Sequence, residues 1–143
     1  MAAIVAQIAD AVVTKLNNDT WDLSFTAVRR YAPTFRLRDM DTLHVTVVPS
    51  SESIEQMGRS RRQHDYVIDV GVQQRFSSDS NATIDPLADL VQDIADAFAG
   101  ASLSGYTSAV WTGTEVDPIF APDHFQQFRQ FTSVIHLSYR VYR

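Results

Sequence analysis

The side chains best suited to acid–base or metal chemistry are four histidines, and they are scattered along the chain at His44, His64, His124 and His136. None belongs to a His-x-Glu or His-Glu-x-x-His pattern, and none has a second metal ligand at a metal-binding spacing. His64 is followed by Asp65, which could form half of an acid–base pair. Solvated or hydrogen-bonded histidines are the ordinary expectation at such positions, so we expect no catalytic residue and no bound metal here.

Other reactive groups are missing from the sequence. The chain has 143 residues and no cysteine, which excludes disulfides, thiolate zinc sites, iron–sulfur clusters and a cysteine nucleophile. It has five glycines and contains no Gly-x-Ser-x-Gly elbow, no phosphate-binding glycine loop and no dinucleotide fingerprint. The sequence therefore predicts a protein without a cofactor and without enzymatic activity.

The distribution of charge is more informative than the reactive groups, because the acidic residues are concentrated in one part of the chain. The net charge is −5, yet residues 77–123 carry eight acidic residues and no basic one. Four of the acids repeat at helical spacing, and we call Asp85, Asp89, Asp93 and Asp96 the aspartate stripe. This stripe is a solvated helix face, a surface that pairs with arginines of a neighbouring subunit or lines a passage, or a calcium site. Calcium is the least favoured of the three because a straight helix does not supply a looped oxygen cage.

Three arginines, Arg59, Arg61 and Arg62, lie close together in a segment outside this acidic region. Residues 50–65 are polar and show no sustained period, so they predict a mobile loop that a neighbour would order. The arginines are solvent-exposed, or form a protein interface, or contact nucleic acid. A basic loop and an acidic helix on one chain favour head-to-tail pairing. The candidate subunit or partner interface therefore comprises Arg59, Arg61, Arg62, Asp89, Asp93 and Asp96.

Hydrophobic periodicity gives the elements that position these charges. Apolar residues recur every three to four positions in two segments and every second position in the others. The predicted elements are a helix at 3–17, strands at 21–31, 43–47 and 66–72, a helix at 85–98, irregular strand structure at 106–120, a connection at 121–130 and a strand at 131–142. Pro49 is expected to end the second strand, and Leu137 lies on the apolar face of the last.

The order α-β-β-β-α-β-β predicts an α+β fold. We expect one domain over residues 1–143, with a mainly antiparallel or mixed sheet of about five strands and both helices packed on one face. The apolar runs are too short to span a bilayer, the N-terminus lacks a basic signal-peptide region, and a pI of about 5.2 does not favour non-specific DNA binding.

The chain resembles the tail terminator proteins of long-tailed bacteriophages and related neck and tail-completion proteins. The resemblance rests on an amphipathic helix and the strand from Trp21, followed by "HVTVVPSS", an arginine-bearing loop, "DYVIDVGVQQRF", "IDPLADLVQDIADAF" and "FTSVIHLSYRVYR". It implies a non-enzymatic virion subunit that assembles in the bacterial cytoplasm as a hexameric ring. Such a ring caps the tail tube, docks to head-completion proteins and leaves DNA to pass through its lumen without sequence-specific contact. The resemblance is by element order, so it assigns no individual residue a role.

Two alternatives stay open at this point. One is another head–tail connector, tail-completion or tail-tube protein. The other is a small enzyme or ligand-binding domain, which would require His64, His124 and an acid to converge in a pocket.

Overall fold

The computed structural model describes residues 3–31, 42–76, 80–117 and 130–143, and within them it contains two helices and a five-stranded sheet. In chain order the elements are α1 (Ile4–Asn18), β1 (Ala27–Arg29), β2 (His44–Gln56), β3 (Arg62–Arg75), α2 (Asn81–Phe98), β4 (Val110–Val116) and β5 (Gln130–Tyr142). The α+β class and the order α-β-β-β-α-β-β are confirmed.

The sheet is mixed, with strand order β1-β2-β3-β5-β4. β1 runs parallel to β2, and the other neighbours are antiparallel. The β3–β5 pair forms the centre and extends from Gln63 opposite Tyr142 to Arg75 opposite Gln130. Side chains alternate between the two faces of each strand, so the central pair presents one continuous apolar surface.

Both helices cover that apolar surface. α1 packs against β1 and β2, and α2 packs against β5 and β4. The helical period explains the fit, because Ile8, Val12 and Leu16 of α1 lie one turn apart and are buried against the sheet. α2 contributes Leu87, Leu90, Val91, Ile94 and Phe98 to the same core. We call the opposite side of the sheet the far face.

The predicted strand at 21–31 is wrong for most of its length, since only Ala27–Arg29 form β1. The preceding residues instead bond to the end of α1. The Trp21 indole N–H donates to the Leu16 carbonyl at 2.7 Å, and the Ala27 amide donates to the Asn17 side chain at 2.8 Å. The alternation of apolar residues here reflects packing beside a helix rather than a sheet ladder.

The predicted end of the second strand at Pro49 is also wrong, because β2 continues to Gln56. Among the described residues, β1 pairs only with residues 45–47 of β2, so no described strand needs an amide donor from Pro49 on that side. Pro49 pairs with Ile68 and Ser51 with Val67, which leaves Ser50 as the extra residue of a β-bulge.

The polar segment 50–65 therefore forms strands instead of the predicted loop. We call residues 50–66 the hairpin extension, and its tip comprises residues 57–61. The Met57 amide donates to the Arg61 carbonyl at 2.9 Å, and Arg62 and Arg143 exchange two backbone hydrogen bonds of 2.9 Å each. Backbone pairing on both sides of β3 builds this region without an apolar period.

The other boundaries differ less. α2 begins at Asn81, before the predicted start at Asp85, and contains Pro86 within its early turns. Gly100, at φ +70°, follows the helix as expected. The irregular segment at 106–120 contains β4, whereas residues 118–120 and most of the predicted connection, 121–129, lie outside the described residues.

Candidate subunit interface

The three arginines predicted at an interface occupy the tip of the hairpin extension and its first paired residue. Arg59 and Arg61 lie in the tip, Arg62 is the first residue of β3, and all three are exposed. None of their guanidinium groups forms an ion pair with another described residue. The tip and the adjoining Arg62 thus present three positive charges to solvent.

Two acids near the tip already have partners. His64 Nδ1 lies 2.9 Å from Glu52 Oε2, and this hydrogen bond lowers the pKa of Glu52. Arg140 Nε donates to Asp65 Oδ1 at 2.8 Å and is the main cause of the lowered pKa of Asp65. Because these carboxylates are engaged by His64 and Arg140, neither is paired with an arginine of the tip.

The base of the extension is a closely packed aromatic group. Tyr66 and Tyr139 lie opposite each other on β3 and β5 and are almost fully buried. His64, only 4% exposed, stacks on Tyr66 with 6.1 Å between ring centroids. Burial raises the pKa of Tyr66 to about 12 and raises that of Tyr139 well above its ordinary value. The phenols therefore stay neutral, and the extension rises from a rigid base.

The aspartate stripe lies on α2, on the side away from the core. Asp85, Asp89, Asp93 and Asp96 are all exposed, and Asp96 accepts a hydrogen bond of 3.1 Å from the neighbouring Gln92. No described arginine, lysine or histidine forms an ion pair with these four carboxylates. The stripe is a negative surface with no counter-charge supplied by the described part of its own chain.

The tip and the stripe are separate surfaces of one molecule. α2 packs against β5 and β4, whereas the tip lies beyond the ends of β2 and β3. Among the described residues, no ion pair joins the two. The role of these six residues at an interface is a proposal, taken up below.

A second polar arrangement lies on the far face, around His136. Its Nδ1 is 2.5 Å from Asp69 Oδ1 and its Nε2 is 2.9 Å from the Asp117 carbonyl oxygen. Both neighbours are acceptors, so the doubly protonated imidazolium satisfies both bonds. Burial lowers the pKa of His136, but the bonds to Asp69 and Asp117 outweigh burial and raise it overall. The histidine joins β3, β5 and the end of β4.

An open depression of about 450 Å³ lies beside this histidine. It is lined by Val67, Gly113, Thr114, Glu115, His136 and Ser138. Because both ring nitrogens of His136 are occupied, it is not poised to take a proton from a ligand in the depression. His64 lies on the other face of the sheet, and His124 falls outside the described residues.

The described residues offer no ready metal or membrane site. No three of their His, Asp and Glu side chains gather closely enough to hold a metal ion. Within the same ranges, neither helix combines the length and apolar character needed to cross a bilayer.

Comparison with known proteins finds likenesses among solved structures. No family model matches the chain, and no curated protein matches it. Among solved structures, the chain is similar to one described as the "PVC sheath/tube terminator in extended state" of an extracellular contractile injection system. The identity is 15% and the TM-score 0.43, over 100% of this chain and 57% of that one. The chain thus spans just over half the length of that terminator, and at this TM-score we derive no function from the likeness.

The side-chain pairs that link neighbouring strands on the two faces of the sheet were not predicted from the sequence. Asp69 and His136 are 67 residues apart, and no local pattern connects them. A usable signal existed only in the strands themselves: once β3 and β5 are aligned by their apolar residues, Asp69 and His136 fall opposite each other.

Proposed function

We propose that this chain is a non-enzymatic virion protein that forms a ring, caps the tail tube of a long-tailed bacteriophage and joins the tube to the head or neck. The ring is a hexamer of small single-domain subunits assembled in the bacterial cytoplasm. Its partners are further copies of itself, the tail tube protein and head-completion proteins, and DNA passes through its lumen without sequence-specific contact.

The observation that carries the proposal is a pair of exposed surfaces of opposite charge on one chain. Three arginines in and beside the tip and four aspartates on α2 lack ion-pair partners among the described residues. A chain with two complementary, separate surfaces associates head to tail, and such association closes into a ring when the rotation per subunit allows it. The element order of the tail terminators, carried by residues quoted above, supports the same proposal.

The test has two stages. Mass photometry and negative-stain imaging of the purified chain should show a closed ring of uniform copy number. The ring should then stop the growth of polymerising tail tubes, giving shorter tubes whose ends are capped.

Each alternative gives a different result. A tail-tube protein would polymerise into open tubes by itself, and a connector would form rings that leave tube growth unchanged. A chain that stays monomeric from low to physiological salt and does not bind tube ends would overturn the proposal.

A further inference from the structure

We infer that the hairpin extension of one copy docks its tip on the aspartate stripe of the next copy. This inference rests on the proposed ring assembly and specifies how neighbouring subunits are joined. It concerns a second copy of this chain as the occupant of both surfaces.

Charge and spacing are matched between the two surfaces. Arg59 and Arg62 are three residues apart, which allows at most about 10 Å of extended chain between them. Asp89 and Asp96 are separated by seven helical residues, or about 10 Å along the axis of α2. Both sets of charges thus lie within a span of about 10 Å, which allows the arginine side chains to reach the carboxylates, and a forked guanidinium pairs with a carboxylate better than a lysine does.

Exposed apolar side chains accompany the arginines. Ile54 is 57% exposed and Met57 is 48% exposed, both on the hairpin extension. On α2, Ala88 and Ala95 are half-buried small residues beside the stripe, against which such side chains can pack. Ion pairs at an exposed site contribute little affinity, so burial of Ile54 and Met57 supplies affinity while charge sets the register.

Side-chain docking fits the extension better than strand addition does. No described strand pairs with the outer side of β2 beyond Val47, and this edge carries Glu52 and Glu55 among serines. Charged residues on an edge strand disfavour pairing with another strand. The tip is also the part of the extension without strand neighbours. A contact made through the tip does not require this edge of β2.

The contact must be made between copies and has a direction. Within one chain, α2 lies on β5 and β4, away from the ends of β2 and β3. Each copy therefore offers one tip and one stripe, which is a heterologous contact. A ring held this way has as many tip–stripe contacts as subunits.

Reciprocal charge reversal tests the contact. The tip variant carries Arg59→Glu, Arg61→Glu and Arg62→Glu, and the stripe variant carries Asp89→Arg, Asp93→Arg and Asp96→Arg. Mass photometry should show that each variant alone needs at least about tenfold more protein than the wild type to form rings. An equimolar mixture should recover rings in which the two variants alternate, because Glu tips then face Arg stripes and Arg tips face Asp stripes.

A control pair tests whether reversing exposed charges at other positions has the same effect. Asp22→Arg with Arg75→Glu alters exposed residues elsewhere and should leave assembly unchanged. Circular dichroism checks the fold of every variant. If reversal impairs folding, the neutral variants with Gln at the three arginines or Asn at the three aspartates take its place, and mixing them should give dimers, since only one productive contact exists per pair.

The possible failures are distinct. A wild type that stays monomeric from low to physiological salt overturns this contact, and one that also fails to bind tube ends overturns the proposed function with it. Wild-type rings with both variants also assembling normally overturn only the contact. If the tip variant assembles normally but loses affinity for double-stranded DNA, the tip is a nucleic-acid contact, and if the mixture fails to recover rings, the tip and stripe do not meet.

Discussion

β2 and β3 form one continuous pair of strands, but its two halves are held by different interactions. In the half under the helices, Val45, Val47, Ile68 and Val70 are 0–2% exposed and pack in the core. In the hairpin extension, every residue from 50 to 62 is exposed. Backbone hydrogen bonds and the pairs Glu52–His64 and Asp65–Arg140 hold it instead.

The core half of the strand pair stabilises the fold, whereas the extension positions the tip at the surface. Apolar burial contributes roughly 25 cal/mol per Å², so the core half supplies most of the stabilisation. Residues 50–62 of the extension contribute little burial, yet the ladder fixes the position of the tip.

The largest effect should come from a charge placed in the core half. Leu137→Asp puts a carboxylate at a position that is 0% exposed on the face packed against the helices. An unpaired buried charge costs several kcal/mol, comparable with the whole stability of a small domain, so we expect the chain to be unfolded by circular dichroism. Ile54→Asp on the extension is the control and should stay folded; a native Leu137→Asp protein would mean that the face assignment of β5 is wrong.

Matched truncations should measure the contrast between the halves directly. Ile68→Ala removes fully buried methyl groups and should lower the free energy of unfolding by about 2–5 kcal/mol. Ile54→Ala, at 57% exposure, should change it by about 0.5 kcal/mol or less. Urea unfolding compares the two, and equal losses would show that the extension is packed as a second core.

A change of pH should weaken one charged pair in each half: the pair of the core half at high pH and the pair of the extension at low pH. The pKa of His136 is raised in the folded chain, so its bond to Asp69 stabilises fully below the ordinary pKa of 6.5 and is lost as pH rises through the folded value. The pKa of Asp65 is lowered, so its bond to Arg140 is lost only when pH falls through that lowered value.

His136→Gln isolates the first of these effects. It should cost about 1.5–3 kcal/mol near pH 5.5, as expected for a hydrogen bond to a charged group, and less near pH 9. Arg140→Gln is the control, since its effect should not vary between these pH values. Urea titrations at both pH values make the measurement, and a His136→Gln cost that grows with pH would contradict the imidazolium assignment.

The smallest effect should arise at the tip. Gly58 has φ +85°, and an L-residue in this region costs about 1–2 kcal/mol. Gly58→Ala should therefore speed hydrogen exchange of the Met57 amide, which bonds across the tip, with little change in the core. Gly113→Ala lies in open space at an ordinary φ and should leave both unchanged; equal exchange in the two variants would argue against a fixed tip.

The same contrast explains what the sequence could predict. Strands with a buried face, such as residues 66–72 and 131–142, have a clear two-residue period because only one face meets the core. Residues 50–62 of the extension have no such period. Backbone hydrogen bonds hold these residues in place and their side chains face solvent, so no apolar residue is required at every second position. The segment from Trp21 has the period without the ladder, because Trp21 and Ala27 bond to Leu16 and Asn17 at the end of α1.

The candidate site divides in a similar way. Exposure of the arginines and aspartates follows from charge and helical spacing, and the structure places all six on the surface. The pairs Glu52–His64 and Asp69–His136 depend on strand register, which is set by long-range packing and by one bulge. Charge alone does not determine which acids are already neutralised by the chain itself.

The bulge at Ser50 reverses the parity of β2. Before it, the odd-numbered residues Val45 and Val47 point toward the helices, and after it the even-numbered Glu52 and Ile54 do, because Glu52 pairs with Tyr66 and Ile54 with His64. Deleting Ser50 would restore a regular ladder in which Ser51 still pairs with Val67 and Glu52 with Tyr66, so both faces of the strand would be kept. The deletion would instead remove the bend and the added twist that a bulge gives to its strand. A single residue thus sets the direction in which the extension leaves the sheet, while the pairing on either side of it stays the same.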